Sequence, residues 1–176
     1  MKNEKQLTFR DLRPDAAAAQ EALQYNRHPL SLLIDGATDP RNLGGIFRLA
    51  DAALVGHIYF YRSSVPEISP KVKRISRHTT DLTPYSFLTD LSQVKDLQTS
   101  HKLLALEYTD RSIPYTDFQL REQVLLIIGN EQKGVSQELL DLAEQSIHLP
   151  MYGLKTSMNV MCAAAVAVYG LLASQD

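Results

Sequence analysis

Short apolar runs rich in β-branched and aromatic residues recur along the chain, and runs of this kind predict buried strands. Five of them are clear and cover residues 30–34, 57–61, 102–106, 124–128 and 147–149, while a weaker one covers residues 85–88. Between them lie segments that place apolar residues on one helical face, over residues 42–54, 136–144 and 156–172. The chain therefore alternates between predicted strands and predicted helices.

This alternation predicts an α/β fold, in which a mainly parallel sheet is flanked by helices. No linker, repeat or low-complexity tract divides the chain, so we expect one domain over residues 1–176. Its core would span residues 30–173, after a helical extension over residues 1–29 that contains the alanine run 16–19. Asp39 and Pro40 are typical of a helix start, because a carboxylate can cap the first turn and proline suits its first position.

Composition and charge limit the location and the partners of the chain. The net charge is −2, so a nucleic acid would have to bind a local basic patch. Cys162 is the only cysteine, which excludes an intrachain disulfide, and residues 1–10 lack the apolar run of a signal peptide. Both features favour the cytoplasm. The apolar residues 160–173 are fewer than the roughly 20 that span a bilayer, so we expect a buried helix and no membrane. The five histidines are scattered, which predicts no metal site.

The first segment with candidate chemistry covers residues 42–48 and holds two adjacent glycines at the start of a predicted helix. Glycines let a backbone or a ligand approach closely, and a helix N-terminus favours anions. A tight turn would explain the glycines equally well, and the G-x-G-x-x-G pattern of dinucleotide-binding proteins is absent. Arg48 lies on an otherwise apolar helix, where a salt bridge with Asp39 or Asp51 is the alternative to a functional role.

The second segment begins where a fully apolar predicted strand ends at Gly129, and it leads into a helix that Ser136 would cap. Ligands of open α/β sheets bind outside the carboxyl ends of strands, which is where this loop would lie. Glu131 is therefore available for chemistry or for accepting a hydrogen bond, although a solvated loop carboxylate is the simpler interpretation.

The third segment covers residues 149–159 and precedes an alanine-rich predicted helix. Thr156 or Ser157 could simply cap that helix. Asn159 is a poor helix residue beside a long apolar stretch, so we expect its amide to need a hydrogen-bond partner.

Together the three segments resemble one family, the SpoU (TrmH-like) branch of the SPOUT RNA methyltransferases. The first motif of that family, N-x-G-x-x-x-R, is similar to Asn42, Gly44 and Arg48. The second motif, G-N-E-x-x-G after an apolar strand, is similar to Gly129, Asn130, Glu131 and Gly134. The third motif, P-M-x-G-x-x-x-S-L/M-N, is similar to Pro150, Met151, Gly153, Ser157, Met158 and Asn159. The order and spacing also fit, and the resemblance covers roughly residues 30–173.

The resemblance implies transfer of a methyl group from S-adenosylmethionine to a ribose 2′-hydroxyl of tRNA or rRNA. It also implies a C-terminal deep trefoil knot and a homodimer with the active site at its interface. The cofactor site that it implies consists of Leu106, Glu107, Gly129, Asn130, Leu149, Met151, Ser157 and Met158, and the implied catalytic residues are Arg48, Asn42, Glu131, Ser157 and Asn159. A guanidinium is an awkward base because its pKa exceeds about 12. We therefore expect Arg48 to hold a phosphate and to stabilise the developing alkoxide.

A cluster of cations predicts where RNA would bind, and its members are Arg62, Lys71, Lys73, Arg74 and Arg77. Their phosphate contacts would be salt-dependent and mostly independent of sequence. A solvated helix face explains the cluster about equally well, and Arg77 and His78 occupy a stretch where family members often have glycine. The 29 residues before the first strand leave no room for a separate RNA-binding domain, which slightly favours a tRNA or a small structural element as the target.

Two other functions stay open at this point. The chain could be a non-catalytic α/β module that binds RNA or a nucleotide, with the three motifs as structural turns. It could also be a base N-methyltransferase of the same superfamily, because the preference for ribose depends on the family analogy.

Overall fold

The computed structural model describes residues 4–12, 15, 26–36, 39–63 and 67–175. Within the N-terminal extension it places one short helix, α1 (Phe9–Leu12). The alanine run 16–19 lies outside the described residues. The helical extension over residues 1–29 therefore stays a prediction.

The core of the fold is one parallel sheet. Its strands are β1 (Leu30–Asp35), β2 (Ile58–Tyr61), β3 (Tyr85–Leu88), β4 (Lys102–Leu106), β5 (Ile113–Pro114), β6 (Val124–Ile128) and β7 (Gln145–His148). Their order across the sheet is β3-β2-β1-β6-β4-β7-β5. Every pair is parallel, so the predicted α/β class and mainly parallel sheet are confirmed.

Two strands, β5 and β7, differ from the sequence prediction by more than one residue at an end. The two-residue strand β5 was not predicted, because it is too short for an apolar run and contains a proline. The last strand, β7, begins two residues before the predicted start at Ile147, because Gln145 and Ser146 are polar residues that nevertheless pair with β4. The prediction for this strand had the correct type and the wrong bounds.

Among the described residues, the α-helices after α1 are α2 (Pro40–Ala52), α3 (Pro70–Ile75), α4 (Leu91–Leu97), α5 (Gln137–Leu142) and α6 (Val160–Ala173). The Asp39 carboxylate accepts a hydrogen bond from the Arg41 amide at 2.8 Å, and Pro40 occupies the first turn, so the predicted start of α2 is confirmed. Ser136 is the residue before α5, but its side chain makes no capping hydrogen bond. The predicted capping role of Ser136 is therefore wrong.

Helices cover both faces of the sheet, because successive side chains of each strand point to opposite faces. On one face, Leu32 and Ile34 pack in a cluster that includes Phe47 of α2 and Ala167 of α6. On the other face, Leu33 packs in a second cluster with residues of α4 and α5. The central strands are buried on both sides, which explains why their sequences are almost continuously apolar.

Helix α6 is the most apolar segment, but it is buried on one face only. Ala164, Ala167, Val168 and Leu171 are buried, whereas Val166 and Tyr169 are exposed. The helix has 14 residues. Within the part of the chain that the structure describes, no helix is long and apolar enough to cross a membrane.

Candidate active site

A cavity of about 290 Å³ opens where β4, β6 and β7 end at their carboxyl edges. This first cavity lies at the edge of the sheet where parallel α/β proteins bind their ligands. Its wall contains all eight residues that the resemblance assigns to the cofactor: Leu106, Glu107, Gly129, Asn130, Leu149, Met151, Ser157 and Met158. It also contains residues that the sequence did not single out, among them Tyr108, Gln132, His148, Val160 and Ala163.

Residues 129–134, the β6 turn, form one wall of the first cavity. The backbone amides of Asn130 and Gly134 each donate to the other's carbonyl, at 3.0 and 2.9 Å. Gly134 has a φ of +69°, which favours glycine. At Gly129, a Cβ atom would lie 2.2 Å from the carbonyl carbon of Gly134, so a side chain cannot fit there without moving the turn. Both glycines of the second motif are therefore required by the shape of the turn.

The Asn130 side chain ties the β6 turn to the rest of the sheet. Its Nδ2 donates to the Gly36 carbonyl just after β1, at 2.8 Å. Its Oδ1 accepts from the Gln132 amide at 2.9 Å. The turn is thus fixed by one hydrogen bond to the residue that follows β1 and by another between two of its own residues.

Glu107 connects the loop after β4 to the loop after β6. Its Oε2 accepts from the Val135 amide at 2.9 Å, and its Oε1 accepts from the Tyr108 amide at 3.0 Å. A Cβ atom on Gly134 would lie 2.3 Å from the same Oε2, so the glycine also makes room for this carboxylate. The contacts of Glu107 give it a role in holding two walls of the cavity together.

Three motif residues that are far apart in sequence meet beside the β6 turn, where Glu131 lines the first cavity. The Asn42 Nδ2 donates to Glu131 Oε1, and the Asn159 Nδ2 donates to Asn42 Oδ1 at 3.4 Å. Asn42 is buried, whereas Glu131 and Asn159 are exposed. The structure therefore joins one residue from each of the three motifs in a hydrogen-bonded row.

Asn159 is also the cap of α6. Its Oδ1 accepts from the amides of Met161 and Cys162, at 2.9 and 3.3 Å. The helix starts at Val160, so the predicted start at Thr156 is wrong, and neither Thr156 nor Ser157 is the cap. The expected partner of the Asn159 amide exists, but Asn159 stands before the helix instead of inside it.

Arg48 stands apart from this row. It is exposed on α2, six residues after Asn42, which is about 9 Å along the helix axis. Among the described residues its guanidinium has no hydrogen bond or ion pair, and Asp39 pairs instead with Arg41 at 2.8 Å. The alternative prediction of a salt bridge between Arg48 and Asp39 or Asp51 is therefore wrong.

Two aromatic rings close the β7 side of the first cavity. The rings of Tyr108 and His148 lie 4.2 Å apart at 30°. The His148 Nδ1 lies 2.9 Å from Ser112 Oγ, which helps to fix the orientation of the ring. The only sequence signal for this wall was the position of Tyr108 just after one predicted strand and of His148 within another.

The predicted RNA-binding cations fall into two groups. Lys71, Lys73 and Arg74 are exposed on α3, and Arg77 follows it. Arg77 and His78 have φ values of 54° and 65°, in the region that favours glycine. This strained pair occupies the stretch where the resemblance leads us to expect glycine.

Arg62 belongs to a different place, at the end of β2. Its φ is also positive, at 52°, and its Nη1 lies 3.2 Å from Glu138 Oε1. The same carboxylate oxygen accepts from the Tyr61 hydroxyl at 2.9 Å. Burial is the larger cause, and this hydrogen bond the second, of a rise in the pKa of Tyr61 to about 12. The phenol therefore stays a neutral donor.

Among the described residues, no group of three or more histidine, cysteine, aspartate or glutamate side chains is placed to hold a metal ion.

Comparison with known proteins identifies the family. The model of the SpoU rRNA Methylase family matches residues 29–169. A 23S rRNA (guanosine-2′-O-)-methyltransferase RlmB from Haemophilus ducreyi is 28% identical over 155 residues, which are 86% of this chain and 63% of that protein. The chain thus spans less than two thirds of the length of this relative.

Two solved structures have the same fold. The A. aeolicus TrmH/SpoU tRNA modifying enzyme superposes with a TM-score of 0.81 at 20% identity and covers 93% of this chain and 84% of its own. The SpoU methyltransferase AviRb from Streptomyces viridochromogenes, in complex with the cofactor AdoMet, superposes with a TM-score of 0.77 at 25% identity. The superposition covers 87% of this chain and 63% of the AviRb chain. The model of the SpoU rRNA methylase family matches most of the chain, and hydrogen bonds of Asn42 join the three motifs on this parallel fold, so the chain belongs to that family.

Proposed function

We propose that this protein transfers a methyl group from S-adenosylmethionine to a ribose 2′-hydroxyl of RNA. The observation that carries the proposal is the hydrogen-bonded row of Asn42, Glu131 and Asn159, of which Glu131 lines the first cavity. The relative from Haemophilus ducreyi is named as a methyltransferase of this kind. Its name refers to 23S rRNA, which makes ribosomal RNA the first substrate to test, before the tRNA that the sequence slightly favours.

The first cavity suits the proposed cofactor in its chemistry. Leu106, Ile128 and Leu149 supply apolar wall, and the β6 turn supplies backbone groups. When bound, S-adenosylmethionine supplies a methyl group on a positively charged sulfur. The AviRb structure contains this cofactor. We assign Leu106, Glu107, Gly129, Asn130, Leu149, Met151, Ser157 and Met158 to its binding site.

The row of Asn42, Glu131 and Asn159 would orient the ribose. Glu131 has a second carboxylate oxygen besides the one that Asn42 holds, and it can accept a hydrogen bond from the attacking hydroxyl. Asn42 donates to Glu131 and accepts from Asn159, and Ser157 lines the same cavity as Glu131. Alignment should supply much of the rate, because the methyl group is already activated.

Arg48 would stabilise negative charge on the ribose oxygen or on a neighbouring phosphate. The distance between Arg48 and Asn42, and the absence of a partner for its guanidinium among the described residues, support a homodimer in which Arg48 of one protomer serves the other protomer's site. Exposed apolar side chains near the same helices also suit a second copy of the chain: Tyr152, Leu154, Met158, Val166 and Tyr169. Sedimentation of the protein and of a Val166→Glu/Tyr169→Glu variant measures this assembly, and a wild-type monomer at micromolar concentration would contradict it.

RNA would contact the exposed cations of α3 together with Arg62 and Arg77. Each lost phosphate contact should reduce the slope of log affinity against log salt by about 0.7–0.9. Lys73→Glu/Arg74→Glu should therefore flatten the salt dependence, whereas Lys95→Glu on the opposite face of the sheet should leave it unchanged. An unaltered slope for the double variant would exclude α3 as a contact.

We further propose the deep trefoil knot of this family for the C-terminal segment. The proposal rests on the membership of the chain in this family.

The test is incubation with methyl-labelled S-adenosylmethionine and ribosomal RNA or tRNA, followed by mass spectrometry of the nucleosides. We expect label on a ribose. Label on a base would instead support a base N-methyltransferase, and cofactor binding without any transfer would support a non-catalytic RNA-binding module.

Arg48→Ala should abolish transfer and keep cofactor affinity, measured by calorimetry. Arg121→Ala, an exposed arginine that precedes β6 at the opposite edge of the sheet, is the matched control. Full transfer by Arg48→Ala would refute the catalytic assignment.

A further inference from the structure

A second cavity, of about 590 Å³, shares the β6 turn with the first. Asn130, Glu131, Gln132 and Gly134 line both cavities. The remaining wall of the second cavity comes from residues at the ends of β1 and β2, at the start of α2 and just before α5. Arg62 lines this cavity at the end of β2, so this cation and Glu131 border the same space.

Arg62 has a backbone conformation that is costly for a residue with a side chain. Its φ is +52°, in the left-handed region that favours glycine. Arg77, another of the cations proposed to contact RNA, has a similar conformation, with a φ of +54°. Residues in such conformations cluster at functional sites, because the surrounding structure has to maintain them. The presence of an arginine at this position therefore has to be explained by what its side chain does.

The ion pair between Arg62 and Glu138 does not explain the arginine through stability. Arg62 Nη1 lies 3.2 Å from Glu138 Oε1, and the two side chains are 50% and 40% exposed. An ion pair that is open to solvent contributes little to folding, whereas a left-handed arginine costs free energy. The pair is therefore better explained by the place where it holds the guanidinium.

Glu138 is itself held by a buried tyrosine. The Tyr61 hydroxyl donates to the same Oε1 at 2.9 Å, and Tyr61 is 5% exposed at the end of β2. Tyr61 and Leu139, the residue after Glu138, belong to the same buried cluster. The pKa of Tyr61 is raised to about 12, first by burial and then by this hydrogen bond, so the hydroxyl keeps its proton. The core of the protein thus fixes the carboxylate that contacts Arg62.

The contact with Glu138 leaves most of the Arg62 guanidinium available. A guanidinium has five N–H groups, and its Nε and Nη2 form an edge that can hold a phosphate with two parallel hydrogen bonds. Among the described residues, the polar contact of this guanidinium is made by Nη1, so the edge of Nε and Nη2 has no partner. Lys133 lines the same cavity and is exposed. Two cations at one cavity suit the phosphates of a nucleic-acid strand.

We infer that Tyr61 and Glu138 are positioning residues, which hold Arg62 at the second cavity so that its free edge binds a phosphate of the RNA next to the target ribose. The inference rests on the proposed RNA methylation and adds to it two residues that line neither cavity. With the cofactor in the first cavity, a phosphate at Arg62 places the strand beside Glu131, which lines both cavities.

Glu138→Ala gives the sharpest test, because positioning and simple charge predict opposite results. If charge alone mattered, removing a carboxylate near a polyanion would strengthen the binding of RNA. Positioning predicts that the affinity for labelled ribosomal RNA, measured by fluorescence anisotropy, falls by about tenfold through loss of the charge-assisted contact of Arg62. Asp141→Ala is the matched control, because it removes a carboxylate of the same helix that pairs with Gln137 at 2.8 Å. An affinity of Glu138→Ala equal to or above that of the wild type would overturn the inference.

Two further variants show whether Tyr61 and Glu138 act through Arg62. Glu138→Gln should keep most of the affinity for RNA, because its amide oxygen still accepts from both partners; a loss as large as in Glu138→Ala would contradict positioning. Tyr61→Phe should weaken the binding of RNA several-fold in the wild type and change nothing further in Arg62→Ala. Equal effects of Tyr61→Phe in both backgrounds would give Tyr61 a purely structural role and overturn the inference.

Measuring transfer and binding separately distinguishes failure of the inference from failure of the proposed function. Arg62→Ala should raise the KM for ribosomal RNA and keep both kcat and the affinity for S-adenosylmethionine. Methyl transfer by the wild type without coupling between Tyr61 and Arg62 would overturn the inference alone. Coupled binding of RNA without any methyl transfer would support the inference and contradict the proposed function.

Discussion

Replacing Gly129 with alanine tests whether the β6 turn shapes the first cavity. The added Cβ would lie 2.2 Å from the carbonyl carbon of Gly134 and 2.3 Å from the amide nitrogen of Val135. Both atoms belong to the backbone, so no side-chain rotation can relieve the overlap. The turn itself has to move.

The loss of stability follows from the hydrogen bonds that this movement of the turn breaks. Two backbone hydrogen bonds close the turn, at 3.0 and 2.9 Å, and each contributes about 0.5–1.5 kcal/mol. Forcing extra volume into a packed site costs about 1–3 kcal/mol, part of which is relieved once the turn opens. We therefore expect the free energy of unfolding to fall by about 2–4 kcal/mol, a loss that a domain with about 5–15 kcal/mol of stability can survive.

Urea unfolding measures the stability. Calorimetry measures the affinity for S-adenosylmethionine, which should fall about tenfold for each 1.4 kcal/mol of binding free energy that is lost. Gly153→Ala is the control, because a Cβ there meets nothing within 4 Å and Gly153 does not line the cavity. If Gly129→Ala matched the wild type in both measurements, the turn would not be the rigid wall that its geometry indicates.

Three further predictions concern single side chains. Tyr108→Ala should weaken the binding of S-adenosylmethionine and of S-adenosylhomocysteine to a similar extent by calorimetry, because the ring packs against His148 at one end of the cavity; equal affinities in variant and wild type would exclude a contact. Asn159→Ala should lose about 1 kcal/mol in urea unfolding through the lost helix cap, whereas Asn159→Ser should recover that stability but not the methyl transfer; a stable and active alanine variant would contradict both roles. The pKa of His57 lies below its ordinary value of 6.5, because burial and then the charges of His101 and Arg27 disfavour the protonated ring. The unfolded chain then binds more protons, so stability is complete above about pH 6.5 and falls as the pH decreases, and His57→Gln should show a smaller loss between pH 7.5 and 5.5 than the wild type.

The sheet was predictable where burial leaves a clear pattern. Residues 124–128 form β6 with the predicted bounds, because this strand is buried on both faces and its sequence is therefore uniformly apolar. The start of β7 was not predictable in this way, since Gln145 and Ser146 join the sheet through their backbones. Backbone pairing of polar residues at an edge leaves no signal in hydropathy.

The candidate site was predictable in its parts and not in its connections. The sequence placed Glu131 on a loop and Asn42 at the start of a helix, but 89 positions separate them, and no local rule gives a hydrogen bond between them. The aromatic pair of Tyr108 and His148 depends on the adjacency of β4 and β7, which is a property of the strand order. The second cavity depends in the same way on loops that follow β1, β2 and β6.

The strand order also affects how the chain is made. Leu30 at the start of β1 pairs with Val124 at the start of β6. The middle of the sheet therefore cannot form until residues more than ninety positions after Leu30 have been synthesised. An emerging chain can pair β1 with β2 and β3, but it leaves the other edge of β1 open until β6 has left the ribosome. Contacts between residues that are distant in sequence slow folding, and they lengthen the time during which the partly folded chain can aggregate. Expression at low temperature, or with chaperones in excess, should therefore raise the yield of native protein more than it does for a fold built from neighbouring elements.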